Sequence, residues 1–144
     1  LKRILIAHSE AIGRRLRADQ VRARTITLKL KIARPLGGGR YPLVTRSYSV
    51  ESATDDTSVI ARCAIALLDR VTPREKIRLA GVQAHNLERV DAFQLGLFDG
   101  WQEQAAKSQR LNQALDRVAK RFGDSAVTRG MVQAERAAPS RRIK

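Results

Sequence analysis

Nine consecutive residues, Arg24-Thr25-Ile26-Thr27-Leu28-Lys29-Leu30-Lys31-Ile32, carry the clearest chemical pattern in the chain. Apolar Ile26, Leu28, Leu30 and Ile32 alternate strictly with Thr25, Thr27, Lys29 and Lys31, the period of a β-strand with one buried and one wet face. The wet face offers ammonium groups and hydroxyls and no carboxylate. Such groups hold phosphate oxygens through charge-assisted and hydroxyl hydrogen bonds, which position a partner without reading a base sequence. Arg22 stands just before the run, Arg46 and Ser47 lie on a second polar stretch, and Arg78 lies on a third.

Other reactive residue types lack the spacing that catalysis needs. Asp55 and Asp56 are adjacent, but they follow Thr54 at a helix start, where Thr54 is a suitable N-cap and carboxylates suit the dipole. Cys63 falls inside an apolar helical stripe and reads as a small core residue. A single cysteine cannot form an internal disulfide, which points to a reducing compartment. His8 lies on a helix flank, and His85 has no second ligand at metal-binding spacing. Gly37-Gly38-Gly39 lacks the Gly-Lys-Ser/Thr ending of a phosphate-binding loop and reads as a hairpin connection. No nucleophile–base pair and no converging carboxylates for Mg²⁺ are present, so the sequence assigns no catalytic residue and no metal ligand.

Charge points the same way as the strand. The 144 residues carry a formal charge of +14. Residues 14–50 hold ten Lys/Arg against Asp19 alone, and residues 107–144 hold ten against Asp116, Asp124 and Glu135. Residues 51–106 are slightly acidic, with six basic and nine acidic residues. Such clustering is the footprint of a polyanion binder. No apolar run approaches the ~20 residues of a membrane span. The chain starts at Leu1 without a signal-peptide pattern and reads as a piece cut from a longer protein.

The elements that must position these groups follow from periodicity. Leu1, Leu5, Ile12 and Leu16 predict a helix to about Ala18, with Arg14, Arg15 and Arg17 at its C-terminal end. A strand at 24–32, a loop from Pro35 to Pro42 and a strand from Leu43 to Val50 make a hairpin. Its second strand alternates poorly and leaves the facing of Arg46 open. A helix runs from Thr54 to about Val71, and Thr72-Pro73 ends it. A third strand spans 77–84, with Ile77 and Leu79 on one face and a bulge at Gly81 bringing Val82 and Ala84 inward. A last helix from about Ser108 to Phe122 carries the stripe Leu111, Leu115, Val118 and Phe122, with Gly123 as its cap. The expected fold is α+β: a small antiparallel sheet with two helices packed on one face, plus an appended C-terminal helix. The open face should hold Thr25, Thr27, Lys29, Lys31 and Arg78, with Arg22, Arg24 and Arg46 nearby. It has few aromatics besides Tyr48, unlike sheets that stack unpaired bases.

One apolar cluster falls outside any element. Leu95, Leu97 and Phe98, within Phe93-Gln94-Leu95-Gly96-Leu97-Phe98-Asp99, sit in a predicted loop. The residues alone leave open whether they tuck onto the core or form an exposed docking peptide.

Ala23 to Leu30, then Thr45-Arg46-Ser47, Thr54-Asp55-Asp56 and Ile77-Arg78-Leu79-Ala80-Gly81-Val82 resemble the little finger domain of Y-family translesion DNA polymerases, in particular the bacterial DNA polymerase IV group. The resemblance covers residues 1 to about 90. It implies a domain that grips primer–template or damaged double-stranded DNA, with Arg22, Arg24, Thr25, Thr27, Lys29, Lys31, Arg46, Ser47 and Arg78 on the backbone. It also implies that Gln94-Leu95-Gly96-Leu97-Phe98 is similar to a sliding-clamp-binding motif, with Gln94 at a pocket rim and Leu95, Leu97 and Phe98 in an apolar groove. In shorter relatives this motif ends the chain, whereas here the sequence continues to Lys144.

The resulting division is a DNA-binding domain at 1–90, a clamp-motif loop at 91–107, a helical extension at 108–132 and a flexible basic tail at 133–144. The family pattern places another strand before the first helix. It leaves open whether Ala126–Gly130 or a neighbouring molecule fills that edge.

The resemblance further implies partner palm, fingers and thumb domains in the same polypeptide, no membrane, and a cytoplasmic, nucleoid-associated setting. The fragment itself needs no cofactor, and Mg²⁺ is expected in the palm of a parent DNA-directed DNA polymerase. The alternative is a catalytically inactive, polymerase-like accessory protein that recruits DNA and clamp in lesion bypass.

Overall fold

The computed structural model describes residues 1–90, 99–123 and 126–127. Six elements follow in order: helix α1 (Lys2–Ala18), strands β1 (Val21–Ile32) and β2 (Leu43–Thr54), helix α2 (Thr57–Val71), strand β3 (Ile77–Arg89) and helix α3 (Asp99–Phe122). The sheet is antiparallel in the order β2-β1-β3, with β1 in the middle. Ile26, Leu28, Leu30 and Ile32 of β1 are buried. Leu28 and Leu30 pack with Leu5 of α1 and with Ala64, Leu67 and Leu68 of α2. A second cluster joins Leu16, Ala23, Ile26 and Ile60. The α+β architecture with a layer of helices on one face of the sheet is the one that the alternation in β1 predicts.

Several local expectations are corrected. β2 and β3 extend to Thr54 and Arg89, beyond the predicted Val50 and Ala84. The irregularity in β3 lies not at Gly81 but lower down: Ile77 pairs with Ile32 and Leu79 with Lys31, so Arg78 is the extra residue. Leu79 therefore lies opposite a wet-face lysine and is 54% exposed, while Ala80 and Val82 pack on the core. A second register shift, between Ala23 and Thr25, lets Ala23 and Ile26 both be buried three residues apart. The N-cap of α2 is Asp56 and not Thr54; its carboxylate accepts from the Ser58 amide at 2.7 Å, while Thr54 Oγ1 accepts from the Asp56 amide.

α1 approaches the start of α2 at Gly13. A Cβ there would overlap the hydroxyl of buried Thr57 and lie 3.3 Å from the Asp55 carbonyl oxygen. The glycine is thus required by the closeness of the two helices, because its own backbone is ordinary α-helix.

α3 begins at Asp99, earlier than the predicted Ser108, so the segment assigned as a loop at 91–107 is partly helical. Only the middle of its predicted apolar stripe is covered: Leu115 and Val118 are half-buried, Leu111 is 55% and Phe122 65% exposed, and the buried residue is Asn112. Polar groups make the attachment. Arg17 of α1 forms a two-pronged ion pair with Asp116, Nε to Oδ2 at 2.5 Å and a second nitrogen to Oδ1 at 2.8 Å. Arg17 also donates to the Asp55 carbonyl at 2.7 Å. Burial alone would push the Asp56 carboxyl up, but hydrogen bonds from Ser108, Ser58 and Asn112 outweigh it and hold it below the usual carboxylate range.

Two outcomes follow from this packing. Gly13→Ala should lower stability by about 1–3 kcal/mol through overpacking, while Gly81→Ala, with no atom within 4 Å of the new methyl, should leave the urea midpoint nearly unchanged. Equal midpoints for the two variants would refute the close approach. The folded Asp56 carboxyl titrates below its unfolded value, so its contribution is complete above about pH 4 and is lost as pH falls through the lower folded value. Stability against pH should flatten at its acidic end in Asp56→Asn, and an unchanged acid limb would count against the cap.

Candidate nucleic-acid interface

The face of the sheet opposite the helices is built by β1 and its two neighbours in register. Thr25 stands beside Ser49, Thr27 beside Ser47, Lys29 beside Thr45 and Lys31 beside Leu43. On the other side Thr25 faces His85, Thr27 faces Gln83, Lys29 faces Gly81 and Lys31 faces Leu79. The hydroxyls of Thr25 and Ser49 share a hydrogen bond of 3.0 Å, and those of Thr27 and Ser47 one of 2.9 Å. Asn86 Nδ2 donates to Thr25 Oγ1 at 3.0 Å, and the Asn86 backbone is left-handed, with φ of 51°. The centre of the face is thus a strip of paired hydroxyls, in which Thr27 is only 4% exposed and Ser47 is the exposed partner, and its Lys29–Lys31 end carries ammonium groups with no acid beside them in register.

The structure brings together Thr25, Thr27, Lys29, Lys31 and Ser47, and it separates the other predicted contacts from them. Arg46 pairs with Leu28, a core residue, so its register position belongs to the helix side at the sheet edge. Tyr48 pairs with Ile26 on that same side and lines a small cleft with Arg62 and Cys63 of α2. Arg78 sits in the register break, and its guanidinium lies 4.3 Å over the Tyr41 ring. Arg24 is engaged by Glu88 at 2.6 Å and by the Glu51 carbonyl at 2.8 Å, and this pairing holds the Glu88 carboxyl below its usual range. Arg22 lies 3.9 Å from Asp55, in a cleft beside α3. Gln83 and His85 were missed by the sequence reading, although Val82 and Ala84 pointing inward already placed both outward. The clamp-type residues Gln94, Leu95, Leu97 and Phe98, and the tail at 133–144, lie outside the described residues.

Among the described residues no three His, Cys, Asp or Glu side chains come together as a metal seat. Burial pushes the Cys63 thiol up, which keeps it protonated and unreactive. No described helix is long and apolar enough to cross a membrane.

Residues 1–97 match the impB/mucB/samB family C-terminal domain. The chain is similar to proteins named DNA polymerase IV from three bacteria. It is 37% identical to that of Desulfatibacillum aliphaticivorans over 121 residues, which are 83% of this chain and 29% of the relative. It is 33% identical to that of Brucella melitensis over 128 residues, 88% of this chain and 27% of the relative. It is 29% identical to that of Pelotomaculum thermopropionicum over 132 residues, 91% and 30% respectively. The chain thus spans less than a third of the length of these relatives. With its antiparallel sheet, helical layer and open basic face, it belongs to the impB/mucB/samB family and has the C-terminal domain of a Y-family polymerase.

Proposed function

We propose that this chain is the DNA-binding little finger domain of an error-prone translesion DNA polymerase, and that it lays its open sheet face on the backbone of duplex primer–template. The observation that carries the reading is the face itself: two Thr–Ser hydroxyl pairs beside Lys29 and Lys31, with no acid between them. Hydroxyls and ammonium groups suit phosphate oxygens, and the absence of an aromatic among the open-face register positions argues against base stacking. Catalysis, with Mg²⁺, belongs in this reading to a palm domain elsewhere in the protein, together with fingers and thumb. Gln94, Leu95, Leu97 and Phe98 would tether the polymerase to a bacterial sliding clamp during damage bypass in the cytoplasm, at the nucleoid.

Two measurements test this reading. Fluorescence anisotropy with primer–template DNA should show affinity falling steeply with salt. Lys29→Ala/Lys31→Ala should reduce the slope by about 2 and weaken binding to all sequences alike. Salt-independent affinity, or a loss confined to one sequence, would refute backbone contact. For the clamp, Leu97→Ala/Phe98→Ala should abolish retention of the chain on immobilised sliding clamp; equal retention of wild type and variant would remove that assignment.

A further inference from the structure

On the helix side, at the end of the sheet where β1 starts and β3 ends, α3 and the last turns of α1 enclose a cleft of about 680 Å³. Arg14, Arg17 and Arg22 line one side, and Arg117 and Lys120 of α3 line the other. The cleft contains two acids, Asp55 and Asp116. Asp116 is bound by Arg17, and Asp55 lies 3.9 Å from Arg22. The carboxylates are therefore answered from within, and Arg117 and Lys120 add positive charge to a concave wall. Ala18, Val90 and Ala119 supply apolar surface between the charges, and among the described residues no aromatic side chain lines the space.

We propose that this cleft binds the sugar–phosphate backbone of a single DNA strand. Cations on opposing walls with short apolar residues between them suit a chain of phosphates joined by sugars, and contact through phosphates is independent of base identity. The cleft lies among helices, on the other side of the sheet from the open face. A duplex on the open face is thus separated from it by the sheet, while a flexible strand that has left the duplex can follow the surface round to it. The Arg17–Asp116 ion pair and the hydrogen bonds of Ser108 and Asn112 to Asp56 hold α3 beside the cleft. Much of its cationic wall comes from a helix beyond residues 1–97, the part matched by the family domain. The inference rests on the DNA-binding reading above for the identity of the polyanion.

Anisotropy of the full chain with labelled oligo-dT and with labelled duplex separates the two surfaces. Arg117→Glu/Lys120→Glu should weaken oligo-dT binding roughly ten-fold at low salt and lower its salt slope by about 1.4, the value for two single-strand phosphate contacts. Duplex binding should change less than about two-fold. Arg110→Glu/Arg121→Glu removes the same charge from α3 outside the cleft and should leave oligo-dT binding close to wild type. Equal losses from the two α3 pairs, or no loss from Arg117→Glu/Lys120→Glu, would overturn the proposal. Competition by inorganic phosphate at equal phosphate concentration would overturn it too, because it would mean a site for a single anion. The sheet reading fails separately, if Lys29→Ala/Lys31→Ala leaves duplex binding intact.

Discussion

The side-chain period of two along β1 ties the hydrophobic core of this domain to its open face. Ile26, Leu28 and Leu30 are almost completely buried, and the residues between them are placed on the opposite surface by the same pleat. A slip of one residue would put Thr27 and Lys29 into the core and Leu28 into water. Burying an unpaired ammonium is far costlier than exposing a leucine, so the register is held firmly. The central position of β1 adds to this, since both of its edges are hydrogen-bonded to neighbours, and one of them, β2, supplies the partner hydroxyls. The candidate interface is thus a by-product of packing: the force that collapses the core also sets Lys29 and Lys31 on one face.

A different kind of interaction holds α3. Its contact with α1 and α2 runs through Arg17, Asp116, the Asp55 carbonyl and the Asp56 cap, all partly buried. A buried ion pair is weak as a source of net stability, because desolvation offsets the attraction, yet removing one partner leaves a stranded charge. Such an attachment is specific in geometry more than strong in energy. It orients α3 so that Arg117 and Lys120 line a cleft with the end of α1, while Leu111 and Phe122 remain largely exposed.

These two modes of packing explain what could be read from the sequence. β1 was legible because its alternation is strict and both outcomes, core and open face, need it. The facing of Arg46 was not, because β2 is an edge strand with little buried surface to enforce a pattern; pairing with Leu28 decides it. The slip in β3 was expected at the glycine, but it falls at Arg78, whose stacking on Tyr41 involves a loop far away in sequence. The start of α3 was misplaced for a similar reason. The apolar stripe drew attention to Leu111 and Phe122, whereas the helix docks through Asn112 and Asp116. A cap completed by Ser108 and Asn112 on a distant helix leaves no periodic trace. The candidate interface was half legible: hydroxyls and lysines on β1 came from the pattern, and the removal of Arg22, Arg24, Arg46 and Arg78 to other settings came only from tertiary structure.

Lysine-modification footprinting with and without saturating primer–template duplex addresses the central claim most directly. Lys29 and Lys31 should lose reactivity on binding, while Lys2, paired with Asp69 in the helical layer, stays as reactive as in the free protein. Protection of Lys2 with Lys29 and Lys31 still open to reagent would place the duplex on the wrong side of the sheet and contradict the account.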